Sequence, residues 1–282
     1  MEIKQEGNDW FAKKSKKAKR WERVTDIIKF DGDLCSVMGR AGMTDFHAYL
    51  GRDGDRWLEM YGVTSLLNYW GEKENLIQWA VTQAIECIQS HPLLTNPLVR
   101  PEYVVELLPL VLEEARKAHL TNLKTAGDHG TKMHSAVEEW IEIRLAGTIM
   151  DATEHHQLQD FIHWAEPVTF LASEKPLYSR RLWVAGTTDF ICEIEGKKFI
   201  GDLKTSRYAS FKHFLQCGAY ALMYEEMGLG KIDGIVIAHM PRDGGFNVLM
   251  DIEVEKYKRG FEMIVELARM DKDKSYSLGF GK

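Results

Sequence analysis

The stretch GTTDFICEIEGKKFIGDLKTS, residues 186–206, constrains the fold more than any other part of the chain. Two runs rich in β-branched and aromatic residues flank Glu195-Gly196, the pattern of a hairpin with a two-residue loop. With Glu195 and Gly196 as the loop, Ile194 pairs with Lys197. Counting outward then sets Asp189 opposite Asp202, and Lys204 shares a face with Asp202 because side chains alternate with period two. Directly opposed Cβ atoms stand about 4.5–5.5 Å apart, where like charges are destabilising. Two outcomes stay open from the hairpin alone. Either a cation sits between the carboxylates, a hard divalent metal with oxygen ligands being the natural one, or the turn is different and the aspartates never meet.

The rest of the chain bounds the possibilities. Its 282 residues suffice for one large domain, or a domain with an appendage, and 45% hydrophobic with 28% charged residues is the composition of a globular protein. No apolar run is long enough to span a bilayer, and the opening MEIKQEGNDWF is polar, so the expectation is a cytoplasmic protein without a membrane partner. Cys35, Cys87, Cys192 and Cys217 are scattered and form no CxxC pair; they read as reduced, buried small hydrophobes rather than zinc or iron–sulfur ligands. The net charge of −6 repels nucleic acid on average, so a DNA grip needs a local patch. FAKKSKKAKRWERV, residues 11–24, sets Lys13, Lys14, Lys16, Lys17, Lys19, Arg20 and Arg23 beside Phe11 and Trp21, with Trp10 just before. Such a stretch either grips phosphates and bases or is a solvated arm.

Along the chain, residues 1–60 read as this basic arm and a small β lead-in, with HAYLGRDGDRWLEMY a hairpin tipped by Asp53-Gly54. Thr64 or Ser65 caps a short helix, and a longer helix follows from Glu74. Residues 96–147 are helical in period, with prolines expected to break them into pieces. Strands follow from Pro167: VTFLAS, LYSRRLWVAGTTDFICEI and KKFIGDLKT. Then come the helix ASFKHFLQCGAYALMYEEMG, the strands GIVIAHMP and FNVLMDIEV, a helix over 255–270 and a polar tail over 271–282. This order predicts an α/β (α+β) fold, a central mixed β-sheet flanked by helices, with a helical N-terminal half. GLGKID lacks the spacing of a phosphate-binding loop, so no nucleotide-driven motor is expected.

Four further residues join the hairpin. His134, in GTKMHSAVEEW, sits early in a helix with Glu138 one turn later; Gln216 and Tyr220 are also one turn apart. Three of them have an ordinary reading: His134 bonded to a nearby carbonyl, Glu138 a solvated charge, Tyr220 core packing. Glu174, in ASEKPLY, supports the site or lies at the surface. His119, His129, His155, His156, His163, His213 and His239 receive no role.

Taken together, Gly130/His134, Gly186/Asp189, Asp202/Lys204 and Gln216/Tyr220 resemble, in order, the GxxxH, GxxD, (D/E)xK and QxxxY motifs of the RecB-type branch of the PD-(D/E)xK nuclease superfamily. VTSLLNYW…LIQWA, residues 63–80, resembles the opening of phage and mitochondrial exonucleases of that kind. The likeness covers residues 62–270, so 61–270 is expected to be the nuclease domain, with a restriction-endonuclease-like core. Thr188 replaces the eponymous proline, and the cysteines of the iron–sulfur members are missing.

The resemblance implies a metal-dependent DNA nuclease, an exonuclease of phage-type recombination or repair. It implies one or two Mg²⁺ or Mn²⁺ ions held by His134, Asp189, Asp202 and the Leu203 carbonyl, and no iron–sulfur cluster. Asp189, Asp202 and Lys204 are then catalytic, Lys204 orienting water or neutralising the phosphate, and Gln216 and Tyr220 hold the DNA. Glu174 and Glu138 are supporting carboxylates. DNA is the implied partner, together with a recombination or single-strand-annealing protein. The alternative is a DNA-binding or scaffold protein that keeps the fold without turnover; intact Asp189, Asp202 and Lys204 argue against it.

Overall fold

The computed structural model describes residues 2–6, 9–13, 22–23, 26–41, 44–54, 56–68, 73–148 and 156–272. Residues 14–21, the centre of the basic stretch, and 273–282, most of the polar tail, lie outside these. The chain divides into two compact units, Met1–Trp70 with Ala136–Lys282, and Gly71–Ser135.

In the first unit, β1 (Glu2–Glu6), β2 (Asp9–Lys13) and β3 (Glu22–Arg23) form a small antiparallel sheet. Strands β4 (Asp26–Asp31), β5 (Leu34–Ala41), β6 (Thr44–Asp53) and β7 (Arg56–Gly62) form an antiparallel meander, and Asp53 pairs with Arg56 across the β6–β7 turn. This meander is part of a nine-stranded sheet that also takes in β8 (Thr169–Ser179), β9 (Val184–Ile194), β10 (Lys197–Lys204), β11 (Gly234–His239) and β12 (Asn247–Asp251). Its order is β12-β11-β10-β9-β7-β6-β5-β4, with β8 on β9. The sheet is mixed: β10 runs parallel to β11, and β7 parallel to β9.

The β9–β10 hairpin has its two-residue loop at Glu195 (φ 51°) and Gly196 (φ 73°), with Ile194 opposite Lys197. Both loop residues have positive φ, the geometry whose twist matches the strands. The run 177–194, expected as one strand, is two. Trp183 turns at φ 54°, the Leu182 N–H donates to Ser179 Oγ at 2.9 Å, and Trp183 Nε1 donates to the Glu59 carbonyl at 3.0 Å. β8 instead runs on through Pro176, which an outer strand tolerates because one side of its backbone needs no ladder partner.

Helices cover both faces. On one lie α1 (Val63–Leu67), α6 (Phe211–Glu226) and α7 (Val254–Lys272) over a core that includes Leu67, Ile191, Ile200, Leu215, Ile237 and Phe261. α1 follows Gly62, its N-cap, directly out of the β7–β9 ladder, so neither Thr64 nor Ser65 caps it as expected. α6 opens with the His213 ring accepting the Ser210 N–H at 3.2 Å, half of a capping box. On the other face α5 (His156–Ala165) brings Phe161 and Trp164 against Phe170, Phe190 and Phe246, joined by Trp140.

The second unit holds α2 (Lys73–Ser90), α3 (Pro92–Thr95) and most of α4 (Pro101–Leu145). His91 caps α3, its ring accepting the Leu93 N–H at 3.2 Å. Pro92 and Pro101 begin helices, as a residue without N–H does well. Pro109 does not break the helix: α4 passes through it and is 45 residues long in all. One proline removes one i→i−4 bond, and the turns on either side keep theirs. Among the described residues no helix is long and apolar enough to cross a membrane.

Gly201 marks the tightest packing in the hairpin, since a Cβ there would lie 1.9 Å from the Phe190 ring. Gly201→Ala should therefore cost about 1–3 kcal/mol through overpacking, read as a lower denaturant midpoint with unchanged slope. A neutral substitution would show the ring free to move.

Candidate metal centre at a strand divergence

β9 is paired along one edge by β8, from Glu193 opposite Thr169 to Val184 opposite Ser179. Its other edge is shared. β10 holds it from Ile194 to Phe190, and β7 holds it at Val184 and Ala185. Between these partners residues 186–189 lack a main-chain ladder on that edge, and side chains continue the connection. Thr188 Oγ1 donates to the Gly201 carbonyl at 2.9 Å, and the Leu203 N–H donates to Asp189 Oδ2 at 2.6 Å. The hairpin register, carried one step past its last pair at Phe190 and Gly201, sets Asp189 across from Asp202.

Asp202 is 1% exposed, and Lys204 Nζ meets its Oδ2 at 2.5 Å. Asp189 is half-buried. Burial pushes its carboxyl above the usual range; Lys204 and the Leu203 N–H pull the other way, and Glu138 adds to the rise. For Lys204 burial works against the charge, but Asp202 and Asp189 outweigh it and raise the ammonium's pKa. Lys204 is thus a cation at neutral pH, shared by two aspartates.

Glu174 lies on β8 between Ser173, opposite Phe190, and Lys175, opposite Thr188, which sets it across from Asp189. Its φ of 43° is left-handed, a conformation that costs a non-glycine residue about 1–3 kcal/mol and clusters at functional sites. Carboxylate oxygens of Glu174 and Asp189 lie within 4.8 Å of each other. His134 stands on α4, at the end of the second unit. Two carboxylates this close are a donor set suited to a divalent cation. Asp202 is not in this pair; its oxygen faces Lys204.

On α6, Gln216 Nε2 donates to Tyr220 Oη at 2.8 Å. Tyr220 is 3% exposed; burial drives its phenol well above its ordinary pKa, and the Asp202 and Asp189 charges add to this. Gly186 makes room for it: a Cβ there would lie 2.7 Å from Tyr220 Cε1. The glycine three residues before Asp189 is a packing requirement. His213, given no role from sequence, has its pKa lowered to about 4 by burial and by the charges of Lys204, His239 and Lys212. His239 pairs with Lys204 in the β10–β11 ladder and reaches the Ser206 carbonyl at 2.7 Å.

One neighbour of the site escaped the sequence reading. Tyr49 on β6 meets Thr187 Oγ1 at 3.1 Å across 138 residues of chain. Burial raises its phenol's pKa, the Thr187 bond opposes this, and the Glu174 charge adds to the rise. Nothing in HAYLGRDG distinguishes Tyr49 from any strand tyrosine.

No family model matches the chain, and no curated protein matches it. Among solved structures, one described as "Crystal structure of SSO0001" is 16% identical over 68% of this chain and 86% of that one, with a TM-score of 0.26. That likeness is too slight to carry an argument.

Asp189 gives a test with a definite sign. Its folded pKa is raised above the unfolded value of about 3.9, so the native state holds the extra proton and loses stability as pH rises from there through the folded pKa. Metal-free Asp189→Asn should therefore melt higher than wild type at pH 7, and the advantage should vanish below about pH 4. Melting curves in EDTA across pH measure it; a lower-melting variant at pH 7 would mean that Lys204 and Leu203 outweigh burial.

Proposed function

We propose that the chain is a divalent-metal-dependent deoxyribonuclease of the RecB-type branch of the PD-(D/E)xK superfamily, acting as an exonuclease in recombination or repair. The observation that carries the reading is the meeting of Asp189 with Glu174 beside the Asp202–Lys204 ion pair. The four motif pairs in the sequence support it independently. Asp189 and Glu174 would hold the metal, with Asp202 and the Leu203 carbonyl completing its surroundings; His134 is a ligand by the sequence resemblance alone. A bound divalent ion lowers the pKa of water and neutralises charge on a phosphoryl oxygen.

The chain's own groups do the rest. Lys204 stays protonated, so it donates: it holds the attacking water by its oxygen and offsets negative charge building on the phosphate. Asp202 fixes that ammonium in place. Gln216, half-buried, would meet the DNA strand, and Tyr220 behind it holds the amide by its hydrogen bond. DNA is the substrate. The basic stretch from Lys13 to Arg23 supplies added phosphate contacts, and a single-strand-annealing protein is the kind of partner such an exonuclease serves.

Release of nucleotides from end-labelled linear duplex in Mg²⁺, with EDTA as control, tests the reading; covalently closed circles should survive. Lys204→Ala should lower kcat about 10²–10³-fold, and Asp202→Ala should abolish cleavage. Absence of metal-dependent cleavage by wild type on linear duplex, single strand and circle alike would refute it.

A further inference from the structure

The N-terminal meander brings a side chain to the carboxylates that none of the four motifs includes. Tyr49 Oη and Thr187 Oγ1 are 3.1 Å apart. Thr187 lies two residues before Asp189, on the part of β9 where the ladder to β10 has ended and that to β7 begins only at Ala185. Pro176 faces Thr187, and the position across from Asp189 belongs to Glu174. Tyr49 is itself well placed to be rigid. Its neighbour His47 sets its ring edge-on at 4.6 Å, and His47 Nε2 in turn meets Ser36 Oγ at 2.7 Å. The Tyr49 body packs against the buried cluster of Leu34, Met60 and Ala185, with Trp183 and Tyr178.

We propose that Tyr49 is a positioning residue of the metal centre: through its hydrogen bond to Thr187 it fixes the stretch of β9 that is laddered on one edge only, and so sets the relation of Asp189 to Glu174. This rests on the reading of that site as a metal centre. A phenol suits the task. It brings a rigid ring with two torsions, one hydroxyl for Thr187, and no charge to compete with the carboxylates. Groups that orient metal ligands from behind contribute about 10- to 100-fold in metal affinity or activity.

The test uses the full-length chain and Mn²⁺ as the probe. Tyr49→Phe keeps the ring and its packing and removes only the hydroxyl. It should bind Mn²⁺ roughly 10- to 100-fold more weakly by calorimetry, while melting in EDTA within roughly 4 °C of wild type. On DNA the loss should fall on kcat with KM unchanged. Thr187→Val should reproduce the effect, Thr187→Ser should restore Mn²⁺ binding, and the Tyr49→Phe/Thr187→Val pair should lose no more than either alone. Wild-type Mn²⁺ affinity in Tyr49→Phe, whatever its melting temperature, overturns the proposal while leaving the metal centre standing. A wild type that binds no Mn²⁺ overturns both.

Discussion

The site depends on one shared edge. β9 has two strands to satisfy on a single side, β10 toward its C-terminal end and β7 toward its start. β10 runs antiparallel to β9 and β7 parallel to it, and neither covers residues 186–189. Backbone groups released from a ladder need other partners when buried, and the chain supplies them from side chains. Thr188 takes the Gly201 carbonyl, and Asp189 takes the Leu203 N–H. The same gap that costs the sheet its ladder therefore orients a carboxylate. On the outer edge β8 carries Glu174 past the same point in a left-handed conformation. A regular sheet would have hidden both groups among paired strands.

Electrostatics then explains why the gap is not simply filled with apolar residues. Asp202 is fully buried, and a buried charge needs a partner. Lys204 provides it on the same strand, two residues on, where the pleat returns to the same face. The pair sits where α6 closes over the sheet, and its influence reaches Tyr220 and Cys217, both pushed well above their ordinary pKa, first by burial and then by the Asp202 charge. One net negative charge remains among Asp189, Asp202 and Lys204 taken as ionised. Without a cation, burial favours putting a proton on Asp189; a cation from solution relieves the same strain by another route.

The parts of this arrangement visible in the sequence are those set by neighbours in the chain. The hairpin register followed from Glu195-Gly196, because loop length fixes pairing. The Asp202–Lys204 proximity followed from strand period alone, and the Gln216–Tyr220 contact from one helical turn. A mixed sheet between helices followed from element order. Three things did not follow. The break at Arg180–Trp183 is hidden because strand-forming residues lie on both sides, and it is the Ser179 hydroxyl and the Glu59 carbonyl that make the turn. The passage of α4 through Pro109 depends on a helix long enough to spare one bond. Tyr49 is beyond reach of any local pattern, since its partner lies 138 residues away. Glu174 stands between these cases: its neighbourhood was legible, its backbone conformation was not.

That separation in the chain bears on how the molecule assembles itself. The β9–β10 hairpin needs only adjacent residues, and hairpins of this kind close in about 1–10 μs. The join of β7 to β9, and of Tyr49 to Thr187, must gather segments far apart in the sequence, 138 residues for Tyr49 and Thr187, and long loops are closed late because their entropy is lost before any contact repays it. Asp189, Asp202 and Lys204 are therefore together early, in a half-built sheet, while the Tyr49 contact waits for the meander to arrive. The full surroundings of Thr187 and Asp189 become a property of the completed protein alone, and a partly unfolded chain carries the residues without the arrangement.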